Sequence, residues 1–365
     1  MKLATVGIVG AGQLGRMLAL AGYPLGIECV LLDSDPGAPG AQVARLKRAA
    51  LDDAAAIEAL AQEVDVLTVE IENVPAAALS AAARHAPVYP PAGAIEATQD
   101  RLVEKRLFRS LGIPTAPFVA IERLADLERA AAELGLPLVL KARRMGYDGR
   151  GQRIVKRAED LADAWTDLGQ PPAIAEAWIA FERELSLVAV RGAGSERAYY
   201  PLAENVHQNG ILHTSVAPFE DPALQKTAEG WLDALFDRLD YRGVLTVELF
   251  HTGDKLLANE MAPRVHNSGH WTIDGAVTGQ FENHLRAVLG WPLGDTAPTG
   301  HAAMLNLLGD LPPIERLLGV PGAKVHVYGK APRPARKIGH CTLVDADRRR
   351  LLQRLERLQS VMQVS

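Results

Sequence analysis

Leu136-Pro137-Leu138-Val139-Leu140-Lys141-Ala142-Arg143-Arg144-Met145-Gly146-Tyr147-Asp148-Gly149-Arg150-Gly151-Gln152 is the stretch on which the reading turns. Its first part is a short apolar run that ends in a lysine, which predicts a buried strand with a cation at its tip. Its second part sets glycines among Tyr147, Asp148 and Arg150. Backbone N–H groups of such a loop can cradle phosphates while the lysine neutralises them. The spacing is not the G-x-x-x-x-G-K-[ST] of a P-loop, so that chemistry is set aside. A solvated basic turn is the plain alternative, and the density of cations and glycines from Lys141 to Gly151 argues against it.

Upstream of this stretch, short apolar runs alternate with helical patterns. Leu3–Val9, Glu28–Leu32 and Val64–Val69 read as strands, and Leu14–Tyr23, Ala54–Gln62 and Ala76–Arg84 as helices. Such alternation predicts a parallel sheet with helices on both faces, an α/β unit. Between its first strand and helix stands Gly10-Ala11-Gly12-Gln13-Leu14-Gly15, with Asp33 ending the second strand. That is the G-x-G-x-x-G pattern with a ribose-binding acid, the mark of a dinucleotide site. The motif specifies an anion site rather than a cofactor, so an NAD(P)-dependent oxidoreductase and some other phosphate ligand both stay open here.

Downstream the rhythm changes. A helix at Asp100–Leu111 is followed by strand-like runs at Ala116–Ile121, Leu138–Lys141, Ile174–Glu176, Leu185–Val190, Ala198–Tyr200, Gly243–Phe250 and Lys255–Glu260. Strands this close predict antiparallel sheet in an α+β region. Glu248 and Glu260 each stand inside an apolar strand, in a hairpin turning at Thr252–Asp254. Buried acids need a cation, and Mg²⁺ takes one or two carboxylates plus phosphate oxygens, so the pair is expected to bind metal, with Asn259 as a further oxygen and a buried salt bridge as the plain alternative. Glu176-Ala177-Trp178-Ile179 ends another strand, with Glu184 following; in an adenine site such a strand end can meet the base edge and an acid can hold the ribose, but by themselves these acids read as surface groups. Pro263-Arg264-Val265-His266-Asn267-Ser268-Gly269-His270 has neither helical nor strand periodicity and reads as a site loop. The late basic cluster of Lys330, Arg336 and Lys337 reads equally as an anion site or a solubilising turn.

Composition narrows the classes. Acids outnumber bases 44 to 39, for a net charge of −5, and no basic stripe marks a nucleic-acid binder. The two cysteines, Cys29 and Cys341, make neither a disulfide framework nor a zinc spacing. No leader-like or membrane-spanning run is seen, so the cytoplasm is the expected location.

Taken together, Lys141, the GYDGRGQ loop, the Glu248/Glu260 strand pair and the PRVHNSGH run resemble the ATP-grasp superfamily, and within it the 5-(carboxyamino)imidazole ribonucleotide synthases of purine biosynthesis. The likeness runs from GAGQLGRM to RPARKIGH. It implies an N-terminal parallel-sheet, Rossmann-like pre-ATP-grasp domain over residues 1–98, then a two-part ATP-grasp fold with antiparallel sheets over 99–300, with a lid at about 115–180. Residues 301–365 would complete the substrate site. It implies ATP and Mg²⁺, with Mn²⁺ as a substitute. Bicarbonate and aminoimidazole ribonucleotide would be the substrates, and a homodimer would pass product to a separate mutase.

By motif, Arg101 and Lys141 would contact ATP phosphates, and Gly146, Tyr147, Asp148, Gly149, Arg150, Gly151 and Gln152 would cover the nucleotide. Glu176, Ala177, Trp178 and Ile179 would meet adenine, with Glu184 and His207 beside it; Glu248 and Glu260 would bind metal, with Asn259 adjacent. Tyr147, Asp148 and Arg150 would orient bicarbonate or the amine. Gln13, Leu14, Glu72, His266, Asn267, Ser268, His270, Lys330, Arg336 and Lys337 would hold the ribonucleotide. Met145 departs from the small residue common before this loop in related sequences. A formate-using transformylase of the same superfamily is the nearest rival activity, and a non-catalytic nucleotide sensor is disfavoured by the acid pair.

Overall fold

The computed structural model describes residues 3–146 and 151–363, whose strands form three sheets. The first sheet contains β1 (Thr5–Val9), β2 (Glu28–Asp33), β3 (Arg45–Arg48) and β4 (Val66–Val69), all parallel in the order β3-β2-β1-β4. Side chains alternate across a strand. Val6, Ile8, Cys29 and Leu31 therefore meet helix Gln13–Gly22 on one face. Val30, Leu32, Leu67 and Val69 meet helices Ala54–Ala61 and Ala76–Ala82 on the other. Both faces are covered, which is why these strands read as unbroken apolar runs. Each fully buried leucine contributes roughly 1.5–3 kcal/mol.

The second sheet falls in the span expected to be the lid and contains β5 (Phe118–Ile121), β6 (Leu138–Ala142), β7 (Gln152–Val155) and β8 (Ala173–Ala177), antiparallel in the order β5-β8-β6-β7. Leu138, Leu140, Ala173 and Ala175 point into a core with Leu127 and Trp165. Alternation then sends Lys141 and Glu176 to the opposite face.

The third sheet has nine strands: β9 (Arg183–Arg191), β10 (Arg197–Tyr199), β11 (Ala203–Gln208), β12 (Ile211–Ala217), β13 (Gly243–Thr252), β14 (Lys255–Ala262), β15 (His301–Leu308), β16 (Lys324–Val327) and β17 (Lys337–Asp345). The order is β14-β13-β9-β11-β12-β15-β17-β16, with β10 on β9. Helix Pro222–Arg238 packs against β9 and β14, with Leu232, Leu235 and Phe236 in the core between them. Residue 300 does not interrupt this sheet, because Thr214–Ala217 pairs with Ala302–Leu305. Helix Arg348–Gln363 then buries Leu351, Leu355 and Leu358 against β15 and β17.

Several elements differ from expectation. Arg45–Arg48 forms an edge strand although three of its four residues are charged, as an edge permits. β7, β11 and β12 and helix Gln280–Leu289 carry no anticipated pattern. The late basic cluster is a turn only up to Arg336; from Lys337 it is strand β17. Among the described residues no helix is long and apolar enough to cross a membrane.

Candidate active site

Glu248 of β13 lies directly opposite Glu260 of β14, and a bulge beside the pair leaves Asn259 as the extra residue. Burial pushes the Glu248 carboxyl up to about 7, and the Glu260 charge adds to the push. Burial acts on Glu260 in the same direction, but the Arg101 guanidinium at 2.6 Å overrides it and holds Glu260 at about 2. Two like carboxylates thus titrate far apart, as expected when one is paired and the other is not. His266 Nε2 stands 3.5 Å from Glu248, and the charges of His207 and Lys337 also reach it. The side-chain oxygen of Asn259 is buried with no hydrogen-bond partner among the described residues. Two facing carboxylates and an unpartnered amide oxygen make an all-oxygen donor set, which fits Mg²⁺.

The second sheet and helix Arg101–Ser110 supply the cations. Lys141 Nζ donates to Glu176 Oε2 at 2.9 Å, with Lys105 Nζ at 3.6 Å from the same oxygen. Burial opposes ionisation of Glu176, yet Lys141 and Lys105 together hold it down at about 2. Asp100 caps helix Arg101–Ser110 and also grips Arg143 at 2.7 Å, and the Arg101 N–H donates to the Arg143 carbonyl at 2.9 Å. The start of that helix is therefore fastened to the lid. Arg101 Nη2 also reaches the Gly146 carbonyl at 3.5 Å. Met145 adopts φ +63°, a left-handed backbone rare for a side chain of its size, and is exposed. Gly151 resumes the chain at φ +71°. Tyr147, Asp148, Gly149 and Arg150 lie outside the described residues.

At the expected adenine edge, Trp178 is exposed just past β8, with Ile179 half-buried, and the Ala177 N–H already donates to the Pro117 carbonyl at 2.9 Å. Glu184 and His207, 23 residues apart, form a 2.8 Å pair between β9 and β11. Burial would lower His207, but Glu184 and the Glu248 charge raise it.

The first domain closes the opposite side, and here the glycine motif takes a different meaning. The Glu70 carboxylate, just beyond β4, accepts from the Gly12 N–H and from the Gly15 N–H at 2.5 Å. A Cβ on Gly12 would sit 2.6 Å from Glu70 Oε1. Asp33 accepts from the Ala11 N–H at 3.0 Å. The protein's own carboxylate occupies the place where a dinucleotide pyrophosphate would lie, and the expected ribose acid braces the turn. The dinucleotide reading of GAGQLG fails on that ground. Leu14 is in the core, so only its backbone can face a ligand.

Glu72 is clamped by Arg264 at 2.5 and 3.1 Å. Burial would raise Glu72, but Arg264 more than compensates and lowers it. Gln13 accepts from Lys330, which ties the tail to the first domain. Lys337 stands close enough for its charge to be felt at Glu248 and His266. Arg336 donates to the Ala331 carbonyl at 3.0 Å. His266 caps the short turn Asn267–Gly269, with Ser268 Oγ 2.9 Å from its Nδ1, and burial drives it down to about 3. Asn267 pairs with Asn306 at 3.0 and 2.8 Å. His270 is buried in a column of rings, 5.0 Å from His340, which stacks on His326 at 4.4 Å.

The structure thus pairs Arg101 with Glu260, Lys141 with Glu176, Glu184 with His207 and Lys330 with Gln13, while Leu14 and His270 are buried. It also adds Glu70, Glu104, Lys105 and Arg264. Glu104 accepts from the Met261 N–H at 2.7 Å, and burial with Glu260 pushes it up to about 8. Nothing in the run Arg101-Leu102-Val103-Glu104-Lys105-Arg106 marks Glu104 and Lys105 as inward-facing. Arg264 was legible, since it sits inside the aperiodic run after Glu260.

Three family models match in chain order: the ribonucleotide synthetase preATP-grasp domain over residues 3–99, the ATP-grasp domain over 106–281 and the phosphoribosylaminoimidazole carboxylase C-terminal domain over 302–354. Fold and site together define the class as ATP-grasp. An N5-carboxyaminoimidazole ribonucleotide synthase of Pseudomonas aeruginosa is 47% identical over 358 residues, covering 98% of this chain and 99% of the relative. The crystal structure of the N5-carboxyaminoimidazole ribonucleotide synthetase of Thermus thermophilus matches with TM-score 0.93 at 50% identity over 98% of both chains. That of an Aspergillus clavatus N5-carboxyaminoimidazole synthase, in complex with ADP and 5-aminoimidazole ribonucleotide, matches with TM-score 0.93 at 31% identity, over 100% of this chain and 99% of that one. The chain belongs to the N5-carboxyaminoimidazole ribonucleotide synthase family.

Proposed function

We infer that this chain is an ATP-dependent carbon–nitrogen ligase that carboxylates 5-aminoimidazole ribonucleotide to N5-carboxyaminoimidazole ribonucleotide in purine biosynthesis. ATP and bicarbonate are consumed, and ADP and phosphate released. The observation that carries the reading is the facing Glu248–Glu260 pair, with Arg101 on one acid and the lid's Lys141 nearby, across from the Glu72–Arg264 clamp.

Phosphoryl transfer needs alignment and charge neutralisation more than covalent help. Lys141 and Arg101 hold the ATP phosphates. Mg²⁺ at Glu248, Glu260 and Asn259, or Mn²⁺ in its place, would neutralise charge on those phosphates. A bicarbonate oxygen attacks the γ-phosphorus, the bond to ADP breaks, and carboxyphosphate results. The exocyclic amine then attacks its carbonyl carbon, phosphate leaves, and the amine gives up a proton. Carboxyphosphate hydrolyses, so water must be kept out. Segment 146–152 serves as the cover, with Tyr147, Asp148 and Arg150 orienting bicarbonate or the amine. Glu176 to Ile179, Glu184 and His207 hold the nucleoside. Glu72, the His266–His270 loop, Gln13, the Leu14 backbone, Lys330, Arg336 and Lys337 hold the ribonucleotide. A cytoplasmic homodimer that passes product to a separate mutase is what kinship implies.

The test is ADP release with and without 5-aminoimidazole ribonucleotide, at varied bicarbonate and, in parallel, formate. Release should need the ribonucleotide and bicarbonate. Release that follows formate would assign a transformylase, and release indifferent to all three would refute the proposal.

A further inference from the structure

Helix Arg101–Ser110 buries a lysine that the reaction, as described, does not use. Lys105 lies one turn beyond Arg101 on the same helix face, and only 1% of its side chain is exposed. Its ammonium stands 3.6 Å from Glu176 Oε2 and 3.5 Å from the Ala258 carbonyl. Glu176 belongs to the lid sheet. Ala258 belongs to the nine-stranded sheet and immediately precedes Asn259 and Glu260. Lys141 holds the same Glu176 oxygen at 2.9 Å. A buried ammonium costs several kcal/mol unless it is well compensated, and an apolar side chain of similar volume avoids that cost. Methionine would fill this space, but it could not draw a lid carboxylate and a body carbonyl toward one point.

We propose that Lys105 is a positioning residue that registers the lid on the body, fixing Lys141 and the Asn259–Glu260 segment at the spacing one nucleotide's phosphates require. Lys105 also shares the Glu176 charge. Without it, Glu176 would bind Lys141 alone and draw that ammonium away from phosphate. This inference rests on the nucleotide-site reading above.

The test compares the wild type with Lys105→Met, Lys105→Arg and the double variant Lys105→Met/Glu176→Gln. Each is measured for ADP affinity by calorimetry, for KM of ATP and of the ribonucleotide, and for Tm. Lys105→Met should weaken ADP and raise the KM for ATP about tenfold or more, the scale of a lost charge-assisted contact. The KM for the ribonucleotide should stay within about twofold. Lys105→Arg should recover part of the loss, and the double variant should be less impaired toward ATP than the single one, because Lys141 is then released. A lower Tm with unchanged ATP and ADP values would make Lys105 merely structural and overturn the proposal, as would an equal rise in both KM values. If Lys105→Met does not fold, Lys105→Gln, which keeps a donor to Ala258 but loses the charge, is judged by the same criteria. Wild type that fails to bind ADP would overturn the nucleotide-site reading itself; wild type that binds while the variants are unaffected would overturn only the role of Lys105.

Discussion

Replacing Glu248 by glutamine should make the metal-free protein more stable while removing its response to Mg²⁺. Glu248 is buried opposite Glu260, and its carboxyl is pushed from the ordinary 4.5 up to about 7. A shift of that size corresponds to about 3 kcal/mol of penalty on the ionised form. The sign follows from linkage: a carboxyl whose folded pKa is raised binds its proton more tightly in the folded state. Its favourable contribution is present below about pH 4.5 and is lost as pH rises through about 7. At pH 8 the wild type carries the full penalty. Glu248→Gln keeps the shape, drops the charge and should gain about 1–3 kcal/mol in urea unfolding with EDTA present. Adding Mg²⁺ with ADP should stabilise the wild type and leave the variant nearly unmoved, since ligand binding to the folded state alone raises stability. The variant's turnover should fall at least a hundredfold, about 2.7 kcal/mol of transition-state stabilisation. A variant less stable than wild type at pH 8 in EDTA, or equally responsive to Mg²⁺, would refute the repulsion argument and the metal assignment together.

Other outcomes follow from the same geometry. Glu70→Ala strips the carboxylate from the Gly12 and Gly15 N–H groups; it should cost about 2–3 kcal/mol, and inorganic phosphate should then stabilise the variant but not the wild type. An unchanged urea midpoint would show that the carboxylate does not carry that helix terminus. Glu176 is held at about 2, so its contribution is present above about pH 4.5 and is lost as pH falls toward 2; Glu176→Gln should flatten that limb of the acid-denaturation curve, and an identical slope would count against the pairing. Leu285→Ala, at the contact between helices Gln280–Leu289 and Gln13–Gly22, should cost about 2–5 kcal/mol, and a loss below about 1 kcal/mol would mean that contact is loosely packed.

Much of this architecture is legible in the residues because burial writes periodicity into them. Strands β1, β2 and β4 of the first sheet read cleanly since both faces of the sheet are covered, whereas the charged edge strand β3 does not. Glu248 and Glu260 stand out because an acid in an apolar strand needs a cation. The glycine motif misleads for a physical reason: G-x-G-x-x-G records only that something anionic sits close to a turn, and here that anion is Glu70, far along the chain. β11 and β12 escape because Glu204, Asn205 and His207 break the apolar pattern, and Asn205 is satisfied by Ser186 and Ser215 across the sheet. Lys105 escapes because a helix that reads Glu-Lys-Arg looks like a wet face. Its burial is decided by β8 and β14, partners that local sequence does not name. Tyr147, Asp148 and Arg150, the expected orienting residues, lie outside the described residues and stand on motif alone.

The unbroken nine-stranded sheet limits how this chain can be divided. Residues 301–345 contribute three of its strands, and β15 closes the hydrogen-bonding edge of β12 along Thr214–Ala217. A chain cut at residue 300 would keep every residue proposed to hold ATP yet bare that edge, a template for pairing with other molecules. Such a fragment should aggregate rather than survive as a small ATP-binding protein.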